Sequence, residues 1–343
     1  MQKHQFEFTG SGREYFKIWI VNLLLTIVTL GIYSAWAKVR RNQYFYRNTY
    51  LAGASFDYHA SPTTILKGRI IALILFTAYS QSIRISMTLY FVMLGVVMLV
   101  LPFLIQRSLR FKLHNSSYRG LRFRFAGDVA GAYKVFLLWP ILTLFTLYML
   151  VPFTHQRMKK YQHNNSLFGQ TPFSFNAPIA DFYLIYVISF ICVMGLGVLA
   201  GVGVALLGLG GLMGASSLGY AKMIAIIVAV YAVLIVAGLL IAPYFNSRIQ
   251  NLIWNKTQLG SYHFNSGLKA RKLLFIYITN VLGVVLTLGL YQPFASVRLL
   301  KYRLENLNLE VDGDLQTFVA NQESDMNATG EGAADIFDID ISL

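Results

Sequence analysis

Long uncharged stretches constrain the fold of this chain more strongly than any other feature. Five of them cover residues 18–37, 85–106, 135–154, 223–247 and 273–297. Each has about the 20 residues that a helix needs to cross the hydrocarbon core of a bilayer. Of the 343 residues, 56% are hydrophobic and 13% are charged, whereas soluble domains carry about 25% charged residues. The sequence therefore predicts a multi-pass membrane protein.

Two further apolar stretches have unusual lengths. Residues 182–221 lack charge over a length that exceeds one perpendicular helix, so we expect a segment that tilts, breaks or includes an extramembrane piece. Residues 70–83 are short for a span, but Arg84 and the next apolar run follow at once, which is typical of a tight helical hairpin. Because backbone groups in lipid must bond within their own segment, helices are favoured. We predict an all-α membrane fold, a helical bundle of about seven membrane segments, with re-entrant segments as the alternative to full spans for some of them.

An internal repeat is the most informative pattern in the chain. Each copy has Ala or Pro, an aromatic residue, and Arg five positions after the Ala or Pro. Asn with Ser or Thr, then Gly, and an aromatic-x-aromatic pattern follow in the best-preserved copies. The arginines on which the copies align are Arg40, Arg107, Arg157, Arg248 and Arg298. Agreement at this many positions indicates five tandem repeats.

The spacing of the repeat predicts its local structure. The aromatic residue belongs at headgroup depth, where aromatic belts lie. The arginine falls on an interfacial helix that continues outward, so we predict that these arginines are interface anchors beside lipid phosphate. The Asn and Gly suit a helix end and a turn, and the aromatic-x-aromatic pattern predicts a short β-strand between membrane segments.

Two topologies fit the distribution of basic residues. Residues 18–37, 135–154 and 273–297 have bases on both flanks, so seven ordinary spans would place about as many bases outside as inside. Four spans with these three segments re-entrant would keep all the arginine-bearing ends in the cytoplasm, which agrees with the positive-inside rule. In that case the far turns of the two long hairpins, at Arg84 and Lys222, are periplasmic.

Charge divides the chain into two parts. Residues 1–303 hold all 29 Lys and Arg with five acids, whereas residues 304–343 hold ten acids and no base. A basic membrane body is typical of cytoplasmic loops beside anionic lipid, so we expect anionic membrane lipids as partners and no nucleic acid. We assign residues 1–310 to a transmembrane domain built from repeats. Residues 311–343 have the composition of a disordered acidic tail, which we expect in the cytoplasm.

Chemistry-bearing motifs are missing from the sequence. The body's acids lie outside the apolar runs, the histidines lack metal-ligand spacing, and no nucleotide-binding or nucleophile motif is present. We therefore expect no enzyme activity, no metal and no cofactor. Asn22 and Asn280 are polar residues within apolar runs, at matching places in the first and fifth repeats. They predict either an interhelical hydrogen bond or part of a permeation pathway.

Three stretches resemble a known family. They are residues 6–10 (FEFTG), 22–40 (NLLLTIVTLGIYSAWAKVR) and 44–56 (YFYRNTYLAGASF). They closely resemble the YjgN-like family of bacterial inner-membrane proteins, a domain of unknown function, and the likeness extends over roughly residues 3–310. TLGIY at 29–33 and TLGLY at 287–291 strengthen it. The resemblance implies a multi-pass protein of the bacterial inner membrane and carries over no catalytic or ligand residue.

Two hypotheses for function remain. Repeats, re-entrant segments and glycine-rich flexibility are common in transporters, which favours a transporter- or channel-like protein for a small molecule. The basic interfacial helices and the acidic tail favour a membrane organiser, a scaffold that binds lipid or a protein partner without transporting anything. A continuous polar cavity would favour the first hypothesis, and a filled interior with a basic face would favour the second.

Overall fold

The computed structural model describes residues 2–206 and 220–311. The helices are α1 (Gly12–Val28), α2 (Ser34–Arg47), α3 (Pro62–Ile85), α4 (Met87–His114), α5 (Val129–Tyr133), α6 (Trp139–Phe145), α7 (Val151–Asn164), α8 (Ile179–Leu206), α9 (Tyr220–Asn255), α10 (Ala270–Leu286) and α11 (Gln292–Glu305). The strands are β1 (Gln2–Phe8), β2 (Thr49–Leu51), β3 (Ala54–Tyr58), β4 (Ser116–Tyr118), β5 (Leu121–Phe125), β6 (Ser166–Phe168), β7 (Thr171–Phe175), β8 (Thr257–Leu259), β9 (Tyr262–Ser266) and β10 (Leu307–Val311). Apart from Val311, the predicted tail lies outside the described residues.

The strands form a closed antiparallel barrel, and this corrects the expectation of an all-α bundle. In the described chain the ten strands follow one another around the barrel in sequence order, and β10 pairs with β1 to close it. The sequence predicts short strands, but not their closure. Closure depends on pairs that are far apart in the chain, such as Gln5 opposite Asn308.

Aromatic side chains fill the interior of the barrel. Alternate residues of a strand face opposite sides of a sheet, so both rings of the aromatic-x-aromatic pattern lie on the same face of their strand. In the described chain the layer of stacked phenylalanines is Phe6, Phe56, Phe123, Phe173 and Phe264. Successive rings have centroids 6.1, 6.4, 6.4 and 6.1 Å apart. The residues directly opposite them on the neighbouring strands are Leu51, Tyr118, Phe168, Leu259 and Leu309. This end of the molecule is therefore a packed apolar core.

Tight turns and helices lie at opposite ends of the barrel. The turns at Ala52–Gly53 and Arg119–Gly120 have positive φ angles at both residues, which suit the twist of a two-residue β-hairpin. Because neighbouring strands are antiparallel, each chain segment between hairpins returns to the barrel end that it left. The described helices consequently all project from one end.

Two of the helical hairpins are long enough to cross a membrane. Among the described helices, the four with sufficient length and hydropathy are Pro62–Ile85, Met87–His114, Ile179–Leu199 and Ile227–Asn255. Ser86 alone separates α3 from α4, and Arg84 lies in the last turn of α3. Lys222 lies within α9 and not in a turn, and the connection before α9 is outside the described residues. The expectation of about seven spans is wrong for the described chain.

The other apolar runs fold back on themselves. Residues 18–37, 135–154 and 273–297 each contain two helical pieces joined by a short turn, so none of them forms one long helix. The leucines at the tips of these hairpins are Leu30, Leu147 and Leu288, which are 94%, 83% and 95% exposed. Their shape is that of the re-entrant segments in the second predicted topology.

The hairpin tips satisfy their own backbone groups. Thr29 Oγ1 donates to the Leu25 carbonyl at 2.6 Å and accepts from the Tyr33 amide at 2.9 Å. Thr287 Oγ1 accepts in the same way from the Tyr291 amide at 2.9 Å. Each threonine therefore bonds to the amide of the residue that precedes the second helix of its hairpin, which makes an exposed turn compatible with an apolar environment.

The helices form a closed ring above the barrel. Each helical segment contacts the next along the chain, α7 contacts α8, and α11 returns to contact α1. The closing contact is tight at Gly12, where an added β-carbon would lie 2.5 Å from Phe294 Cδ1. In the short hairpins a tyrosine of the second helix also bonds to the start of the first. These hydroxyls, Tyr44, Tyr161 and Tyr302, donate to the carbonyls of Ser11, Asp128 and Lys269 at 2.9, 2.7 and 3.2 Å.

Candidate functional site

The repeat arginines lie on the second helix of each hairpin, next to a buried position. The residue just before each arginine is buried or nearly so: Val39, Gln106, Gln156, Ser247 and Val297. Arg40, Arg107 and Arg248 are exposed, and Arg157 and Arg298 are half-buried. These arginines therefore border the outer surface of the helix ring.

Aromatic rings hold several of these guanidinium groups. Arg107 stacks over Phe103 at 5.3 Å, Arg157 over Phe153 at 4.9 Å and Arg248 over Tyr244 at 5.6 Å. In each case the ring lies four residues earlier, one helical turn away on the same face. Such cation–π contacts leave the guanidinium hydrogens free for another partner.

The first and fifth arginines are held differently. Arg40 donates to the Tyr33 hydroxyl at 3.0 Å. Arg298 donates to Thr279 Oγ1 at 2.7 Å and lies over the Phe275 ring at 5.4 Å. In the described chain the ion pairs join other bases to acids, Arg47 to Asp57 and Lys301 to Glu305. The repeat arginines thus meet aromatic and hydroxyl groups and remain available to an external anion.

Asn22 and Asn280 are both buried in the first helices of the terminal short hairpins. Asn280 Nδ2 donates to the Ala295 carbonyl of α11 at 3.3 Å. The Oδ1 atoms of both residues have no hydrogen-bond partner in the described part of the structure. Because α1 and α10 both contact α11, the two asparagines lie on helices that flank the same neighbour.

A basic cavity lies within the third hairpin. Its volume is about 350 Å³. Its lining is Lys134, Val135, Trp139, Arg157, Lys160, Tyr161, Asn164 and Asn165. Arg157 Nε is buried there without a hydrogen-bond partner among the described residues. The cavity combines three cations with two aromatic side chains, which is a suitable lining for a small anion with an apolar attachment.

Local backbone structure shapes this cavity. Pro140 cannot donate a hydrogen bond to the preceding turn, and the helix widens just before it into a π-helical turn, Lys134–Leu138. On the other wall, Arg157, Lys160, Tyr161 and Asn164 share one face of α7. Burial, and then the Asp128 carboxylate, raises the pKa of Tyr161 to about 12. Its hydroxyl therefore stays a neutral donor at physiological pH.

A second group of bases converges from different helices. Burial, and then the charge of Lys112 on α4, lowers the pKa of Lys159 on α7. Partial burial and the charges of Arg69 and Lys112 likewise lower the pKa of Lys38 on α2. Because these shifts require proximity, the ring of helices brings the bases of non-adjacent helices near one another.

Among the described residues, no cluster of potential metal ligands accompanies these bases. Within residues 2–206 and 220–311, no group of three or more His, Cys, Asp or Glu side chains could hold a metal ion. His155 lies 3.0 Å from the Tyr186 hydroxyl, and His163 lies 3.2 Å from Thr257 Oγ1. Each of these histidines therefore has a packing and hydrogen-bonding role.

Sequence reasoning found the arginines and missed the cavity. The spacing of Arg157, Lys160, Tyr161 and Asn164 could have indicated one basic face on a helix. Lys134 could not have been added to that face, because its place depends on the fold-back at residues 146–150 and on the π-helical turn before Pro140.

Comparison with known proteins bears out the family resemblance. A family model described as "Bacterial protein of unknown function (DUF898)" matches residues 3–336. "Inner membrane protein YjgN" of Salmonella typhimurium is 32% identical over 150 residues, which cover 43% of this chain and 37% of that protein. The protein of the same name from Escherichia coli O157:H7 is 34% identical over 140 residues, 40% of this chain and 35% of its own length. The matched stretch thus spans little more than a third of these relatives. No solved structure matches.

Proposed function

We propose that this chain, which belongs to the DUF898 family of bacterial proteins of unknown function, is a non-transporting organiser of the inner membrane that binds anionic lipid. The observation that carries this proposal is the set of repeat arginines. They border exposed apolar helices, rest on aromatic or hydroxyl groups, and have no carboxylate partner in the described chain. Lipid phosphate is the anion that such a surface meets at headgroup depth.

The filled barrel supports an organiser over a transporter. A transport path needs polar groups along its length, whereas the barrel interior carries stacked phenylalanines and the aliphatic residues opposite them. The spanning hairpin α3–α4 also exposes apolar side chains on successive positions, such as Ile70, Ile71, Leu73 and Ile74. Successive residues of a helix point in different directions, so these four side chains give α3 a broad apolar surface.

The transporter-like hypothesis keeps one observation in its favour. Asn22 and Asn280 place buried amide oxygens without partners inside the helix ring, and polar groups of this kind mark pathways in many transporters. Proteoliposomes that swell faster than protein-free liposomes with a panel of small neutral and charged solutes would support this second candidate. The organiser proposal expects identical swelling rates.

The orientation that we propose places the barrel, the arginine-bearing ends and the tail in the cytoplasm. The short hairpins then enter the inner half of the bilayer and turn back at their exposed leucine tips. The described bases are concentrated at the barrel end of the helices, as the positive-inside rule requires of cytoplasmic segments.

Quenching of tryptophan fluorescence by brominated lipids tests the lipid preference. The full chain is reconstituted with brominated phosphatidylglycerol or brominated phosphatidylcholine, and the relative binding constant of the two lipids is measured. We expect a preference for phosphatidylglycerol that is lost when Arg40, Arg107 and Arg248 are all changed to Gln, because three bases near the surface together contribute about 3 kcal/mol, roughly a 100-fold change in relative affinity.

The matched control is Arg47→Gln. Arg47 is exposed but paired with Asp57 at 2.9 Å, so this change should leave the preference intact. High salt should weaken the wild-type preference. An equal affinity for both lipids in the wild-type protein would contradict the proposal.

A further inference from the structure

The cavity of the third hairpin contains positive charges that no described acidic side chain pairs with. Lys134, Arg157 and Lys160 all line it. In the described chain neither lysine has an ion-pair partner, and the guanidinium of Arg157 rests on the Phe153 ring with its Nε unpaired. Three cations that share a cavity without a carboxylate partner repel one another, so an anion between them would stabilise this arrangement.

The position of the cavity indicates what carries the anion. Its walls belong to the half of the hairpin next to the barrel, and the hairpin continues from there to an apolar tip. Leu138, Leu144 and Phe145 on that path are 47%, 54% and 81% exposed. Trp139 lies at the junction between the basic and the apolar parts, a place that tryptophan favours at the headgroup boundary. The two parts together suit a phosphate that continues into an apolar chain.

We propose that this cavity is a binding site for one phosphate group, which the cations Lys134, Arg157 and Lys160 contact, with a phospholipid headgroup as its source. The proposal deepens the proposed function and rests on it for the source of the phosphate. The phosphate oxygens accept from the guanidinium of Arg157 and from the two lysines, while the acyl chains follow the exposed apolar side of α6. A free phosphate would use the same cations without the apolar path.

The test measures bound ligand on the full chain by native mass spectrometry. The probes are dioctanoyl phosphatidylglycerol, dioctanoyl phosphatidylcholine and inorganic phosphate. We expect one tightly held phosphatidylglycerol per wild-type chain. In the double variant Lys134→Gln with Lys160→Gln, its affinity should fall tenfold or more, since each base near a lipid surface contributes about fivefold.

Lys301→Gln is the matched control. Lys301 follows Arg298 by three residues, as Lys160 follows Arg157, but it pairs with Glu305 at 3.7 Å and does not line the cavity. Its affinity for phosphatidylglycerol should equal that of the wild type. Equal thermal midpoints of the three proteins would show that the double variant is folded.

The possible outcomes separate the sources. Binding of inorganic phosphate that the double variant loses, without bound lipid, would support the phosphate site and assign it to a free anion. The site would be overturned if the double variant bound every probe as tightly as the wild type does. It would also be overturned if the wild type bound none of the probes. The lipid preference tested with Arg40, Arg107 and Arg248 involves none of the cavity's cations, so either idea can fail alone.

Discussion

His163 illustrates how a polar side chain is used inside this fold. Its ring lies 5.5 Å from that of Phe175 and 5.9 Å from that of Trp254, and its Nδ1 is 3.2 Å from Thr257 Oγ1. Burial, and then the charge of Lys159, lowers the pKa of His163 to about 4. Between pH 6.5 and that value the unfolded chain binds a proton that the folded chain does not. The contribution of neutral His163 to the free energy of unfolding is therefore complete above pH 6.5 and is lost as the pH falls.

The change His163→Gln should reduce the acid sensitivity of the protein. From pH 7.5 to 5.0 the wild type should lose roughly 2 kcal/mol of unfolding free energy through this group, because 1.4 kcal/mol corresponds to each pH unit below 6.5. Denaturant unfolding in detergent micelles at both pH values gives the difference. The exposed His263→Gln serves as the control and should behave like the wild type. An unchanged pH dependence in His163→Gln would refute the assignment.

The arginines show what a spacing can predict at this scale. The sequence places an aromatic residue four positions before each arginine and, except after Arg248, another four positions after it. A helical face follows from that spacing alone. The two aromatic positions nevertheless have different partners. Phe153 stacks under Arg157, whereas Tyr161 turns to the Asp128 carbonyl at the start of its hairpin. Only the packing of the neighbouring helix could have separated these roles.

Among the secondary-structure elements, the contact between α1 and α11 closes the helix ring. Gly12→Ala would place a β-carbon 2.5 Å from Phe294 Cδ1, so the aromatic ring of Phe294 must move or the two helices must separate. We expect a loss of about 1–3 kcal/mol, as for other overpacked contacts. Gly68→Ala in α3 has no atom within 4 Å of the new β-carbon and should be neutral or stabilising by up to about 1 kcal/mol. Equal stability of the two variants, measured by thermal unfolding, would argue against a tight closing contact.

The short hairpins were the hardest elements to predict. Residues 18–37 and 273–297 are long enough for a span, and hydropathy alone cannot place a turn inside them. The turn depends on Leu30 and Leu288 in the left-handed region, followed by Gly31 and Gly289, and on the threonine hydroxyls that accept from backbone amides across the turn. The repeated TLGIY and TLGLY motifs contained this information, but it could be understood only once the backbone angles were known.

At the scale of the whole molecule, closure of the barrel joins the two ends of the described chain. Gln5 lies directly opposite Asn308, and such pairs have Cα atoms about 4.5–5.5 Å apart, which a disulfide can span. With Cys192 replaced by Ala, Gln5→Cys with Asn308→Cys should form an intramolecular disulfide on mild oxidation. Gln5→Cys with Asn265→Cys should not, because Asn265 pairs with Asn308 from the far side, about 9.5 Å from Gln5. A mobility shift on gels for the second pair alone would contradict the strand order.

The orientation of the molecule is open to direct labelling. Arg84 lies in the last turn of α3, far from the barrel, and Ser261 lies in a barrel turn at the opposite end. A membrane-impermeant maleimide applied to whole cells should label Arg84→Cys and not Ser261→Cys. After the membrane is permeabilised, both should react. The reverse pattern on whole cells would place the barrel in the periplasm.

The common exit of the helices has a consequence for how such chains can change. Each helical segment leaves one end of the barrel and comes back to the same end. Any segment that crosses the membrane must therefore cross it an even number of times. Losing or duplicating a unit would remove or add two strands and the helices that belong to them, and would leave the sidedness of all the other units unaltered. A chain of this kind can therefore change the number of strands in its barrel without reversing the membrane orientation of its other segments.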